Sequence, residues 1–180
     1  LEEAVSRVLS GLDGDEAPAG RVLLLPVAYG GEYGPDMAGV SEHTGLCEEE
    51  IVKRHSARDC YCYMIGFTPG FGYLGGMDES LATPRLKKPR LSIPAGSVGI
   101  AGAQTGVYSV SSPGGWRIIG RTPMTLFDPD DALCPTLFEP GGFVRFCPIS
   151  SDEYEAISRD EKARKTGRYD AAGTGLEGRL

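Results

Sequence analysis

The sequence predicts a mainly β fold of α+β type, an antiparallel β-barrel carrying a few short helices, and three observations lead there. From Asp59 onward the chain breaks into short β-prone runs bounded by glycine or proline turns. Helical signals are brief and confined to segments before Asp59 and after Phe146. Two glycine-dense blocks, Gly66–Gly76 and Ile93–Gly106, supply the turns and close backbone approaches that a curved barrel wall requires.

The elements follow in order. Leu1, Val5, Val8 and Leu9 share one helical stripe ahead of Gly11, and a Gly/Asp/Pro/Ala linker runs to Gly20, so this stretch reads as the tail of a preceding element. Val22 to Val27 is a short apolar run with the character of a buried strand, ending at Tyr29-Gly30-Gly31. Pro35 suits a first helical residue, Met37 and Val40 share a face, and Gly45 marks the stop. Glu48-Glu49-Glu50 and Lys53-Arg54-His55 place opposite charges at the two ends of a further helix, matching its macrodipole. Strands are expected over Tyr61–Phe67, Val98–Ala101, Gly106–Val110, Trp116–Ile119 and Phe143–Phe146. Ser150 to Glu153 carries a capping box that starts a last helix reaching about Ala163, and Thr166 to Leu180 is polar and glycine-rich. The expected division is a connecting helix and linker over residues 1–20, a barrel over 21–163 and a disordered tail over 164–180.

Composition narrows the function. The 180 residues are 41% hydrophobic, enough for one domain with a proper core. Lys and Arg total 18 against 25 Asp and Glu, and the net charge of −7 argues against a general nucleic-acid or anionic-membrane surface. Small molecules or proteins are the expected partners. No apolar run reaches membrane-spanning length and Leu1-Glu2-Glu3 lacks a signal-peptide pattern, so a cytoplasmic location is expected. The five cysteines lack a C-x-x-C pair, giving neither a disulfide framework nor a metal site; Cys60 and Cys62 read as small core residues on one strand face. Gly96-x-x-Gly99-x-x-Gly102 matches neither the dinucleotide fingerprint nor the phosphate loop with its lysine.

The ordered blocks Tyr29-Gly30-Gly31, Gly34-Pro35-Asp36, His55, Gly66 to Phe71 with Tyr73 to Gly76, Ala82-Thr83-Pro84-Arg85, Pro94 to Gly106, Ser112 to Trp116, Gly120 to Pro123 and Phe127-Asp128-Pro129 carry a resemblance. Over roughly Val22 to Ile157 the chain resembles the allophanate hydrolase subunit 1 family, which includes the B component of 5-oxoprolinase and the Kip-type inhibitor of sporulation kinase A. The resemblance implies a cyclophilin-like β-barrel preceded by a small α/β domain that is largely missing here, Leu1 to Leu9 being its remnant or the connecting helix. It also implies a partner of the allophanate hydrolase subunit 2 type, the kind that serves as the C component of 5-oxoprolinase, and a third subunit. Together these couple ATP hydrolysis to the opening of 5-oxoproline into glutamate, so ATP is an implied cofactor whose site is not identifiable in this sequence. Two alternatives come with the family: a non-catalytic inhibitor of a sensor histidine kinase, and the carboxyltransferase part of a biotin-dependent urea carboxylase.

The candidate site residues are weighed against plainer roles. His55, at a helix end and in the family pattern, is either a general acid or base or a satisfied structural histidine. Arg85, with Lys87, Lys88 and Arg90 on a proline-punctuated segment, can cradle a carboxylate or phosphate, or form a solvated loop. Gln104, Thr105 and Arg121 carry groups suited to orienting an amide or carboxylate on an open barrel face. Trp116 is read as a core aromatic or as part of that face. Phe67, Phe71 and Tyr73, with Pro69 and Gly70, form either an exposed contact patch or a core plug, and Gly96, Gly99 and Gly102 shape the wall. Ser97 lacks an evident activating base, so a Ser-His-Asp hydrolase is unsupported. Catalysis by this chain alone is therefore not expected.

Overall fold

The computed structural model describes residues 21–160, 165 and 168–170. The stripe at Leu1 to Leu9, its linker, the last residues of the final helix and most of the expected tail lie outside the described residues.

Leu23, Leu24, Leu25, Val27 and Ala28 are buried, and their strand, β1 (Val22–Tyr29), is the staple of the barrel. Two short helices follow it. Helix α1 (Met37–Thr44) buries Met37 and Val40 and stops at Gly45, whose φ of 72° is the left-handed conformation favoured by glycine. Helix α2 (Glu48–Ser56) buries Ile51 and His55 and has acids in its first turn and bases in its last. The remaining wall strands are β2 (Cys60–Ile65), β3 (Gly72–Gly75), β5 (Ser97–Ala101), β6 (Gln104–Val107), β8 (Arg117–Arg121) and β9 (Phe143–Pro148). A separate two-stranded ribbon joins β4 (Arg90–Ile93) to β7 (Ser112–Gly114). The final helix α3 (Ser151–Arg159) is capped reciprocally by Ser150 and Glu153.

Seven strands close in the order β1-β8-β5-β6-β3-β2-β9 and back to β1. Closure differs from the expected all-antiparallel barrel at one seam, where β1 and β9 run parallel from Val22↔Phe143 to Val27↔Pro148. A parallel pair cannot be joined by a tight hairpin, and here nearly the whole barrel separates the two strands in sequence. Arg168–Asp170, inside the stretch expected to be disordered, pair with Val22 to Leu24 as a short strand β10. The β6 run begins two residues earlier than expected, and β3, β4 and β7 were not expected at all. The barrel interior is filled by residues such as Leu25, Val98, Ile100, Val107, Ile119 and Phe146, with Cys60 and Cys62 among them as small apolar fillers. Burial pushes the Cys60 thiol up to about 12, so it stays protonated.

Candidate active site on the outer barrel wall

The wall made by β3, β6, β5 and β8 has two faces, and strand alternation sorts its residues between them. Leu74, Val98, Ile100, Val107 and Ile119 point into the barrel. On the other face Phe71, Ala101, Tyr108, Trp116 and Ile118 form a second apolar cluster under Ile93 of the β4–β7 ribbon, with Tyr73 packed against it. Two glycines of this wall lie directly against the cluster. A Cβ on Gly106 would lie 2.9 Å from Trp116 Cζ3 and 3.1 Å from Phe71 Cζ, and one on Gly99 would lie 3.1 Å from Trp116 Cβ. These glycines therefore let the indole lie directly on the sheet backbone.

A chain of edge-on ring contacts runs across the cluster. Phe67 meets Phe71 at 5.6 Å, Phe71 meets Tyr73 at 5.0 Å and Tyr108 at 5.4 Å, and Phe71 meets Trp116 at 5.6 Å. The Arg85 guanidinium lies 5.8 Å from the Trp116 ring centroid, in cation–π range. Arg85 is exposed, yet its backbone is fastened on both sides. Thr83 and Gly102 exchange two backbone hydrogen bonds, Arg117 Nε donates to Pro84 O at 3.2 Å, and Leu86 N donates to Gly115 O at 2.7 Å. A segment held this firmly presents its arginine without a further backbone-ordering cost.

The ribbon above the cluster is clamped by Asp36, just before α1. Arg90 donates both guanidinium nitrogens to the Asp36 carboxylate at 2.8 Å, and the backbone N–H of Ile118 donates to Asp36 Oδ2 at 2.7 Å. Burial pushes the Tyr108 hydroxyl up, opposed by its bond to the Trp116 backbone and by the nearby Arg85 and Arg90 charges.

Of the five large hydrophobic side chains that stand exposed among the described residues, Phe67 meets Phe71 of this cluster, Met64 lies across from Tyr73, and Tyr63 precedes Met64 on the same strand. Met64 is opposite Tyr73, and a β-bulge between Cys62 and Met64 turns both Tyr63 and Met64 outward. The expected strand over Tyr61–Phe67 ends at Ile65, and Phe67 sits in a loop at φ 67°, the only non-glycine residue with positive φ among the described residues. That loop is closed by Gly66 N to Phe71 O, by Phe71 N to Thr68 O and by the Ser109 hydroxyl donating to Pro69 O, with Gly70 at φ 74°.

Of the residues nominated from sequence, Arg85, Phe67, Phe71, Tyr73 and Trp116 come together here. Gln104 shares their face, because Thr105 beside it points inward and Gly106 outward. Trp116 is buried among its neighbours, so both of its sequence readings meet: it is a core aromatic that supports an exposed arginine. Gly102 forms the exposed turn between β5 and β6 at φ 59°. Gly96, at φ 83°, and Arg121 stand at the opposite end of β5, where Arg121 Nε donates to Ala95 O. Arg121 is not part of the patch.

Of the two readings of His55, the surroundings are those of a satisfied structural histidine, and Thr105 shares them. Both are buried inside the barrel, where His55 Nε2 lies 2.8 Å from Thr105 Oγ1 and Nδ1 lies 2.8 Å from Tyr29 Oη. Burial pushes the His55 imidazole down to about 3, so it is neutral at ordinary pH. A sealed ring with both nitrogens engaged is not open to the outer wall, and neither is the Thr105 hydroxyl. Their geometry supports a positioning role. Sequence reasoning also missed Tyr63, Met64 and the Asp36–Arg90 clamp; only Tyr108, two residues beyond outward-facing Gly106, had a signal in strand alternation.

Two clefts, of about 400 and 260 Å³, lie elsewhere, beside Tyr29 and Glu48 and beside Asp128 and Thr136. Neither contains a nominated residue. ATP does not fit the helix ends. Glu48 to Glu50 begin α2, Asp152 and Glu153 begin α3, and Asp36 at the start of α1 is occupied by Arg90, so each of these three N-termini opposes a phosphate.

The fold is shared with the Kluyveromyces lactis urea carboxylase, at a TM-score of 0.67 and 18% identity over 84% of this chain and 16% of that one. Protein PH0987 from Pyrococcus horikoshii aligns at a TM-score of 0.72 with 48% identity, covering 85% of this chain and 66% of the other. The 5-oxoprolinase B subunit of Bacillus subtilis (strain 168) is 49% identical over 140 residues, 78% of this chain. The present chain spans 58% of that relative's length. The family described as carboxyltransferase domain, subdomain C and D, matches residues 1–138, most of the sequence and most of the barrel wall described above. On that match and that identity, the chain belongs to the carboxyltransferase subdomain C and D family.

Proposed function

We propose that this chain supplies one wall of a shared active site in an ATP-dependent 5-oxoprolinase, which opens 5-oxo-L-proline to L-glutamate. The observation that carries the reading is Arg85, its backbone pinned on both sides and its exposed guanidinium 5.8 Å from the buried Trp116 ring. A guanidinium there suits the substrate carboxylate, the exposed Phe67 and half-buried Tyr73 offer apolar surface to its five-membered ring, and the Gln104 amide suits its lactam. The wall binds and orients. With His55 and Thr105 sealed inside, the acid–base chemistry and the handling of ATP fall to the facing chain, of the allophanate hydrolase subunit 2 type, and to a third subunit. Among the described residues no helix is long and apolar enough to cross a membrane, which is compatible with a cytoplasmic assembly.

The test is co-expression with both other subunits, followed by ATP-dependent glutamate release from 5-oxoproline. Release that depends on this chain supports the reading, and none from the assembled complex overturns it. The alternative, inhibition of a sensor histidine kinase by direct docking, would use the same exposed Tyr63, Met64 and Phe67. Unchanged autophosphorylation of that kinase at saturating protein removes it.

A further inference from the structure

We propose that Phe67, Met64 and Tyr63 form the apolar centre, and Lys87 and Lys88 the cationic rim, of a docking surface for a protein partner whose facing side is an apolar pocket edged by acidic residues. The inference deepens the shared-site reading above by giving the chemistry of the partner's face, and it rests on that reading for the partner used in the test.

Four observations carry it. First, Phe67 is 65% exposed although its backbone holds φ 67°, a conformation that disfavours any bulky side chain. The fold gains little burial from the ring and carries a backbone strain to present it, a combination characteristic of contact and switch positions. Second, Met64 and Tyr63, 53% and 64% exposed, are turned to solvent by the β-bulge next to the same loop. An exposed apolar patch beside a strained aromatic marks an interaction site more strongly than either feature alone.

Third, the ring contacts run from exposed Phe67 through buried Phe71 and Trp116 to the segment that bears Arg85, Lys87 and Lys88, so the apolar residues and the cations are held on one packed framework. Lys87 and Lys88 are exposed and make no ion pair among the described residues, whereas Lys53, Arg54, Arg90 and Arg145 are each paired. Two adjacent free cations on a chain of net charge −7 form a local positive edge, and an acidic rim is its electrostatic complement. Fourth, this segment is preorganised. The Leu86 N–Gly115 O bond lies on one side of the lysines and the Arg90–Asp36 pair on the other, so docking does not have to order it.

The test uses the separately purified partner of the allophanate hydrolase subunit 2 type, titrated calorimetrically at low and high salt. Wild-type chain binds, Phe67→Gly binds at least about tenfold more weakly, and the double variant Lys87→Glu, Lys88→Glu binds more weakly with a flatter salt dependence. In urea, Phe67→Gly unfolds at a higher midpoint than wild type, because glycine accepts the positive φ. Strain relieved together with binding lost is a signature that a purely structural Phe67 does not give. A lower unfolding midpoint for Phe67→Gly, unchanged affinity in either variant, or no binding by the wild-type chain each overturns the inference. Binding with the expected losses but without 5-oxoproline hydrolysis leaves the docking surface standing and overturns the catalytic reading instead.

Discussion

His55 and Thr105 meet at 2.8 Å inside the barrel, and their hydrogen bond has a fixed direction. Thr105 has one hydroxyl proton, which it donates to Gly99 O at 3.2 Å. It therefore accepts from His55, so Nε2 carries the ring proton and Nδ1 accepts from the Tyr29 hydroxyl. The resulting line, from Tyr29 through His55 and Thr105 to Gly99, ties β1, α2, β6 and β5 together beneath the wall on which Trp116 rests. His55→Ala leaves the Tyr29 hydroxyl without its acceptor, removes the donor to Thr105 Oγ1 and opens a cavity, with an expected loss of about 2–4 kcal/mol in urea denaturation. Nitrogen shifts of the ring should report an Nε2–H tautomer.

The same burial sets a pH dependence. The folded pKa of about 3 lies below the ordinary histidine value of 6.5. Between the two values the unfolded chain binds a proton that the folded chain does not, so stability rises with pH through this window and the contribution is complete above it. As pH falls below 6.5 toward 3, this one group removes stability at up to about 1.4 kcal/mol per pH unit. Folding free energies measured from pH 7 to pH 4 should show a steeper decline for wild type than for His55→Gln.

Asp36 is a single carboxylate that holds three donors, two from Arg90 and one from Ile118 N. Replacing it by alanine frees the ribbon over Phe71 and Trp116 and strands a buried N–H, at an expected cost of about 2–3 kcal/mol. A double-mutant cycle with Arg90→Ala separates the ion pair from the backbone bond.

Gly106 is a packing requirement. Gly106→Ala places a methyl 2.9 Å from Trp116 Cζ3, so the indole must move. The expected outcome is a shifted Trp fluorescence maximum and about 1–3 kcal/mol of destabilisation. The chain has one tryptophan, so the signal is unambiguous.

Arg85 carries the opposite expectation. It is exposed and unpaired among the described residues, so Arg85→Ala should change folding stability by no more than about 0.5 kcal/mol. If Arg85 holds the substrate carboxylate as proposed, the same variant in the assembled complex should raise the KM for 5-oxoproline at least about tenfold, the effect of losing a charge-assisted contact.

What the sequence made legible divides along physical lines. Local signals were readable: the Ser150–Glu153 capping box, the Gly45 stop and the charges at both ends of α2 are set by neighbours within one turn. The aromatic face was half readable, because Gly66–Gly76 and Ile93–Gly106 announced close backbone approach without saying that Trp116 and Phe71 were what approached. Non-local features were silent. The parallel β1–β9 seam joins residues far apart in sequence, and β4 and β7 are masked by Pro89, Pro94 and Pro113. The two readings of His55 stayed open for a related reason: whether a helix-end histidine is covered depends on the barrel around it. The bulge that exposes Tyr63 and Met64 is a register property, with no composition of its own.

If this chain contributes a binding wall to a site completed by other subunits, activity must appear only on assembly. Glutamate release from 5-oxoproline, measured with ATP for the chain alone, for its partners alone and for the assembled complex, decides the matter. Release is expected only from the complex, with KM raised by Arg85→Ala. Turnover by the isolated chain, or an assembled complex indifferent to Arg85→Ala, would contradict the binding-wall role.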